Sequence, residues 1–68
     1  MMRQYRIYGK PEGAKRFKPL GGDRLQSNIM HAEVFTIDEN KIGALSGLQR
    51  EVDYIKATNG GEWELRRI

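Results

Sequence analysis

The residues best suited to chemistry are cations interleaved with aromatic rings. Arg6, Lys15, Arg16 and Lys18 alternate with Tyr5, Tyr8 and Phe17 in the N-terminal third of the chain. Lys and Arg neutralise phosphates and release counterions, and exposed rings stack on bases. Arg66 and Arg67 would join this group if the last strand lay beside the first. No RNP-like aromatic string, GXXG clamp or zinc knuckle accompanies the cations. The competing reading makes Tyr5 and Phe17 core residues and the charges a guard against edge-to-edge aggregation.

A second candidate is Gly43-x-x-x-Gly47, which falls inside a helical pattern. Each glycine there costs roughly 1 kcal/mol relative to alanine. Close approach of a protein partner, such as another helix, would offset that cost. Tight packing on the chain's own sheet, or simple tolerance, is the alternative, because the membrane form of the motif does not apply in water. His31 is the only histidine and cysteine is absent, so a metal would find only scattered carboxylates. Ser27, Thr36, Ser46 and Thr58 stand in no recognisable nucleophile setting. Asp38 and Glu39 read as helix-capping acids, and Glu62 and Glu64 as the solvent face of a strand. Neither pair suggests a cleft that would hold two carboxyls at different pKa values. Gly21-Gly22-Asp23-Arg24 lacks the following helix of a phosphate loop and reads as a flexible loop. No cofactor is implied and no catalytic role is expected.

The elements that must position these residues fit in one domain, residues 1–68. A chain of this mass buries only about 60% of its unfolded surface. Its core is therefore thin, with little room for a deep ligand cavity of about 300 Å³ or more. The absence of cysteine points to a reducing, cytoplasmic setting. No apolar stretch follows Met-Met-Arg-Gln-Tyr, and apolar runs are too short to span a bilayer. Mean hydropathy is −0.71, as for a soluble protein. The net charge of +3 is uneven: residues 1–36 hold seven basic against three acidic residues, and residues 37–68 five against six. Such asymmetry can mark an anionic partner, though many small proteins carry similar charge to stay dissolved.

Gln4–Tyr8 alternates and is rich in β-formers, with Tyr5 and Ile7 on one face and Arg6 and Tyr8 on the other. Lys10-Pro11-Glu12-Gly13 supplies a turn, and Lys15–Leu20 reads as a second strand. Ile29–Phe35 fits either a short strand or a helical turn, and a strand is favoured. Thr36-Ile37-Asp38-Glu39 matches a capping box, with Ile42, Leu45, Leu48, Val52 and Ile55 behind it at helical spacing. This predicts a helix from about Ile37 to about Ala57, closed by Asn59-Gly60-Gly61. Glu62–Ile68 alternates again as a terminal strand carrying Trp63 and Leu65 inward.

The string as a whole resembles a family of very short proteins of Gram-positive gut bacteria, often carried on conjugative elements or prophages. The segments that carry the resemblance are Tyr5–Tyr8, Pro11–Phe17, Ala32–Thr36 and Glu62–Ile68. The family has no assigned activity, so no functional residue is carried over. Gly43, Ser46 and Gly47 depart from its charged, glycine-poor helix. The resemblance implies an accessory protein of a mobile element, which favours binding DNA or another protein over catalysis.

The fold expected is α+β: an antiparallel sheet of three or four strands with one amphipathic helix on one face, in the order β-β-(β)-α-β. Its expected core is Tyr5, Ile7, Phe17, Ile42, Leu45, Leu48, Val52, Ile55, Trp63 and Leu65, with Met30 and Val34 added. The leading functional expectation is a non-enzymatic binding module for a protein partner, at a sheet edge or at the Gly43/Gly47 helix face. The alternative is weak nucleic-acid binding through the basic hairpin.

Overall fold

The computed structural model describes residues 1–68 and shows an antiparallel sheet with one helix, an α+β architecture. The long first strand β1 (Met2–Lys10) is the hub. It is followed by β2 (Lys18–Gly21), β3 (Arg24–Leu25), a 3₁₀ turn (Ile29–His31), β4 (Phe35–Asp38), α1 (Ala44–Asn59) and β5 (Glu62–Arg67). All of β5 runs antiparallel along β1, with Lys10 opposite Glu62 and Tyr5 opposite Arg67. The other edge of β1 is shared. β2 takes Tyr8 and Gly9, and β4 takes Met2 to Tyr5. β4 and β5 both run against β1, so α1 links two parallel strands that have β1 between them. No helix is long and apolar enough to cross a membrane.

Alternation along β1 sorts the side chains. Tyr5, Ile7 and Gly9 face α1 and are buried, while Arg6, Tyr8 and Lys10 face away. Phe35, Leu65 and Trp63 oppose Tyr5, Ile7 and Gly9 and lie on the same inner face. From α1, Val52 is fully buried, with Leu48 and Ile55 half-buried beside it. Trp63 lies over Gly9, where any Cβ would run into the indole ring. The indole Nε1–H donates to the Gly60 carbonyl at 2.7 Å, which ties β5 to the end of α1. That helix ends as the Asn59-Gly60-Gly61 signal predicts, with Gly60 at φ 72° and its N–H donating to the Lys56 carbonyl at 2.8 Å.

The middle of the chain departs from the expectation. The stretch read as a capping box and first helical turn is β4. Phe35 and Ile37 put their side chains on the inner face opposite Tyr5 and Arg3, and this β-branched and aromatic run pairs better than it coils. Glu39 does not cap a helix; it accepts hydrogen bonds from Tyr5 Oη (3.0 Å) and Arg3 Nε (3.1 Å). The helix therefore begins seven residues later than Ile37, at Ala44, and has no side-chain cap. Ile29–His31 is a 3₁₀ turn capped by Asn28, not a strand. Gly21-Gly22-Asp23-Arg24 is not a loose loop but the tight hairpin joining β2 and β3.

The core is correspondingly smaller than expected. Ile42 is 100% exposed because it precedes the helix, and Met30 (85%), Leu45 (45%) and Val34 (40%) also face solvent. Phe17 is half-buried, but on the sheet face opposite α1.

Candidate functional site

The helix-free face of the sheet gathers the chemistry that the N-terminal third carries. Arg6 and Arg66 sit directly opposite each other across the β1–β5 pair. The guanidinium of Arg66 lies 4.2 Å from the centre of the Tyr8 ring and 5.0 Å from that of Phe17. Lys10 Nζ approaches Phe17 at 5.3 Å. Three cations and two rings thus form one surface with no element over it, held by the register of two fully paired strands.

Not every cation there is free. Arg66 is bonded to Glu64 through Nη2 (2.6 Å) and Nε (3.0 Å), and Lys10 to Glu62 at 2.8 Å. The Lys10 ammonium, through its hydrogen bond and charge, holds the Glu62 carboxyl below its ordinary value. Arg6 has no such carboxylate. Its Nε is shielded from solvent and has no hydrogen-bond partner. Like charges directly opposite on a sheet repel, and an orphaned donor costs free energy, so Arg6 is the unsatisfied centre of this surface.

The six cations picked out from sequence do not all converge. Arg6 and Arg66 share the helix-free face. Lys15 and Arg16 lie exposed in the loop before β2, next to Phe17. Lys18 opposes Gly9 and Arg67 opposes Tyr5, so the pleat turns both toward the helix side. Lys10, where the Lys10-Pro11-Glu12-Gly13 pattern predicts a turn, ends β1 and belongs to the surface. The signal that would have found it is its spacing of four from Arg6 along one strand.

The glycine pair separates as well. Gly43 is not within the helix; it precedes α1 with φ at 84°. Gly47 is in the helix but has open space around it, so it packs closely on nothing in this chain.

The inner side of the molecule holds an open cleft of about 510 Å³ between α1 and the β2–β3 hairpin. This exceeds the room expected from chain length. α1 packs mainly over β5, which leaves half-buried Leu20 and Phe35, above buried Ile7, as an apolar floor. His31 is exposed and lines neither this cleft nor the shallower one beside Leu45 and Leu65. No three His, Asp or Glu side chains converge as a metal site would need.

No protein-family model matches the chain, and neither a curated protein nor a solved structure does. The reading of this surface therefore rests on its own geometry. It offers fixed positive charge, an unneutralised guanidinium and aromatic rings at sheet spacing. That combination suits phosphates with stacked bases; it positions no nucleophile beside a base.

Proposed function

We propose that the protein is a small non-enzymatic binding module whose helix-free sheet face takes single-stranded nucleic acid. The observation that carries this is the Arg6–Arg66 pair, placed opposite each other beside Tyr8 and Phe17 with Arg6 lacking any carboxylate. A phosphate between the two guanidiniums would relieve their repulsion and give Arg6 an acceptor. Lys15 and Arg16, exposed at the rim, would extend the contact along the strand. The rings supply stacking that tolerates any base.

The test is fluorescence anisotropy with a labelled oligonucleotide of mixed sequence. Neutralising three phosphates through Arg6, Lys15 and Arg16 predicts a log–log salt slope of about −2. Lys15→Glu/Arg16→Glu should weaken binding about tenfold or more at low salt. Binding that ignores both salt and the reversal would sink the proposal.

A second reading, a protein partner, is supported by the open outer edge of β5 and by the open space around Gly47 on α1.

A further inference from the structure

We infer that β5 is a self-pairing edge, and that two copies of this chain join antiparallel through it into one continuous sheet. β5 pairs only with β1, so its other edge is open. The direction of its backbone groups follows from one bond: the Ile68 N–H donates to the Gln4 carbonyl at 2.9 Å. Even-numbered residues of this segment thus turn their backbone toward β1. Trp63, Leu65 and Arg67 turn their N–H and C=O groups outward. A second β5 must place its own outward residues opposite these, and the twofold registers that pair at least two of them are of two kinds, centred on a charged residue (Glu64 or Arg66) or on Leu65.

In the first kind Glu64 meets Glu64, or Arg66 meets Arg66, on the axis, a like-charge contact that disfavours pairing. In the other, Leu65 meets Leu65 on the axis. Trp63 then faces Arg67, and all the outward backbone groups of the three residues are satisfied. On the helix-free face this second register sets Glu64 opposite Arg66 of the second copy, and Arg66 opposite its Glu64. Each chain already pairs Arg66 with Glu64 internally, so the seam closes a ring of two carboxylates and two guanidiniums. This self-complementarity is what selects a second copy as the occupant.

The inner face agrees. Leu45, which is 45% exposed, lines the shallow cleft together with Tyr5 and Leu65, on the flank of α1 nearest β5. The twofold axis runs perpendicular to the sheet, so both helices stay on one face. α1 packs mainly over β5, so the two helices would flank the Leu65 pair on that face.

Sedimentation velocity over a concentration series tests this directly. The wild-type chain is expected to dimerise reversibly, with a dissociation constant on the order of 10 µM. Glu64→Arg and Arg66→Glu should each weaken self-association by about tenfold. Mixed in equal amounts, the two variants should form a heterodimer, because each seam position again meets its opposite charge. If either reversal proves unfolded by circular dichroism, Arg67→Pro replaces it. That change removes an outward N–H together with the Arg67 side chain and should give a folded monomer. A wild-type chain that stays monomeric throughout overturns the inference. So do folded single variants that dimerise as tightly as the wild type, or a mixture no tighter than either variant alone. Arg66 belongs to both surfaces, so Glu64→Arg and Lys15→Glu/Arg16→Glu separate the two readings: the first should break dimerisation and keep oligonucleotide binding, the second the reverse.

Discussion

Tyr5, Arg3 and Glu39 form a polar contact just past the end of β4. The Tyr5 hydroxyl and the Arg3 guanidinium both donate to Glu39, and these bonds hold its carboxyl below the usual glutamate value. Burial first, and the bond to Glu39 second, push the Tyr5 hydroxyl up. The signs are opposite. The contribution of Glu39 is present above the ordinary carboxylate value of about 4.3 and fades as pH falls through its lowered one. That of Tyr5 is present below about pH 10 and fades as pH rises through its raised value. Denaturant midpoints should therefore fall on acidification from neutrality to about pH 3, and Glu39→Gln should flatten that acid limb. An unchanged limb in Glu39→Gln would place the acid sensitivity elsewhere, with Glu62 and its bond to Lys10 the next group to test.

At the scale of the element, two glycines predict opposite outcomes. Gly47 sits inside α1 with open space about it, so Gly47→Ala should stabilise the fold by about 0.5–1 kcal/mol. Gly9 lies under the Trp63 ring, and Gly9→Ala should destabilise by roughly 1–3 kcal/mol with a change in the emission of that sole tryptophan. Thermal melts separate the two. The elements with a clean period were legible in the sequence: β1 and β5 by their alternation, the end of α1 by Asn59-Gly60-Gly61. Residues 36–39 were not, because Thr-Ile-Asp-Glu satisfies a helix cap and a strand end equally, and only pairing with Met2–Tyr5 decides between them. The candidate surface was half legible. Arg6 and Tyr8 share a face by parity, but the place of Lys10 and the diversion of Lys18 and Arg67 follow from register, which is tertiary information.

Across the whole molecule, few side chains anchor the fold. Ile7 of β1 and Val52 of α1 are the only large side chains wholly removed from solvent. A domain of this length has a stability of about 3–10 kcal/mol. Ile7→Ala, at about 2–5 kcal/mol, should therefore leave a large fraction of molecules unfolded at 37 °C. Circular dichroism at that temperature reads it directly. The same economy explains the open cleft: one helix of this length packs over β5 and touches β4, and leaves the β2–β3 hairpin uncovered.

The hub position of β1 has a kinetic consequence. Its most extensive partner, β5, is nearly the full length of the chain away, with Lys10 paired to Glu62. Closing so long a loop carries an entropic cost before any contact rewards it, so refolding should be slower than that of a helical bundle of equal length. The rate-limiting ensemble would already contain the β1–β5 seam, while α1 consolidates afterwards. Ile7→Val should then slow refolding in stopped-flow traces, and Val52→Ala should act mainly by hastening unfolding.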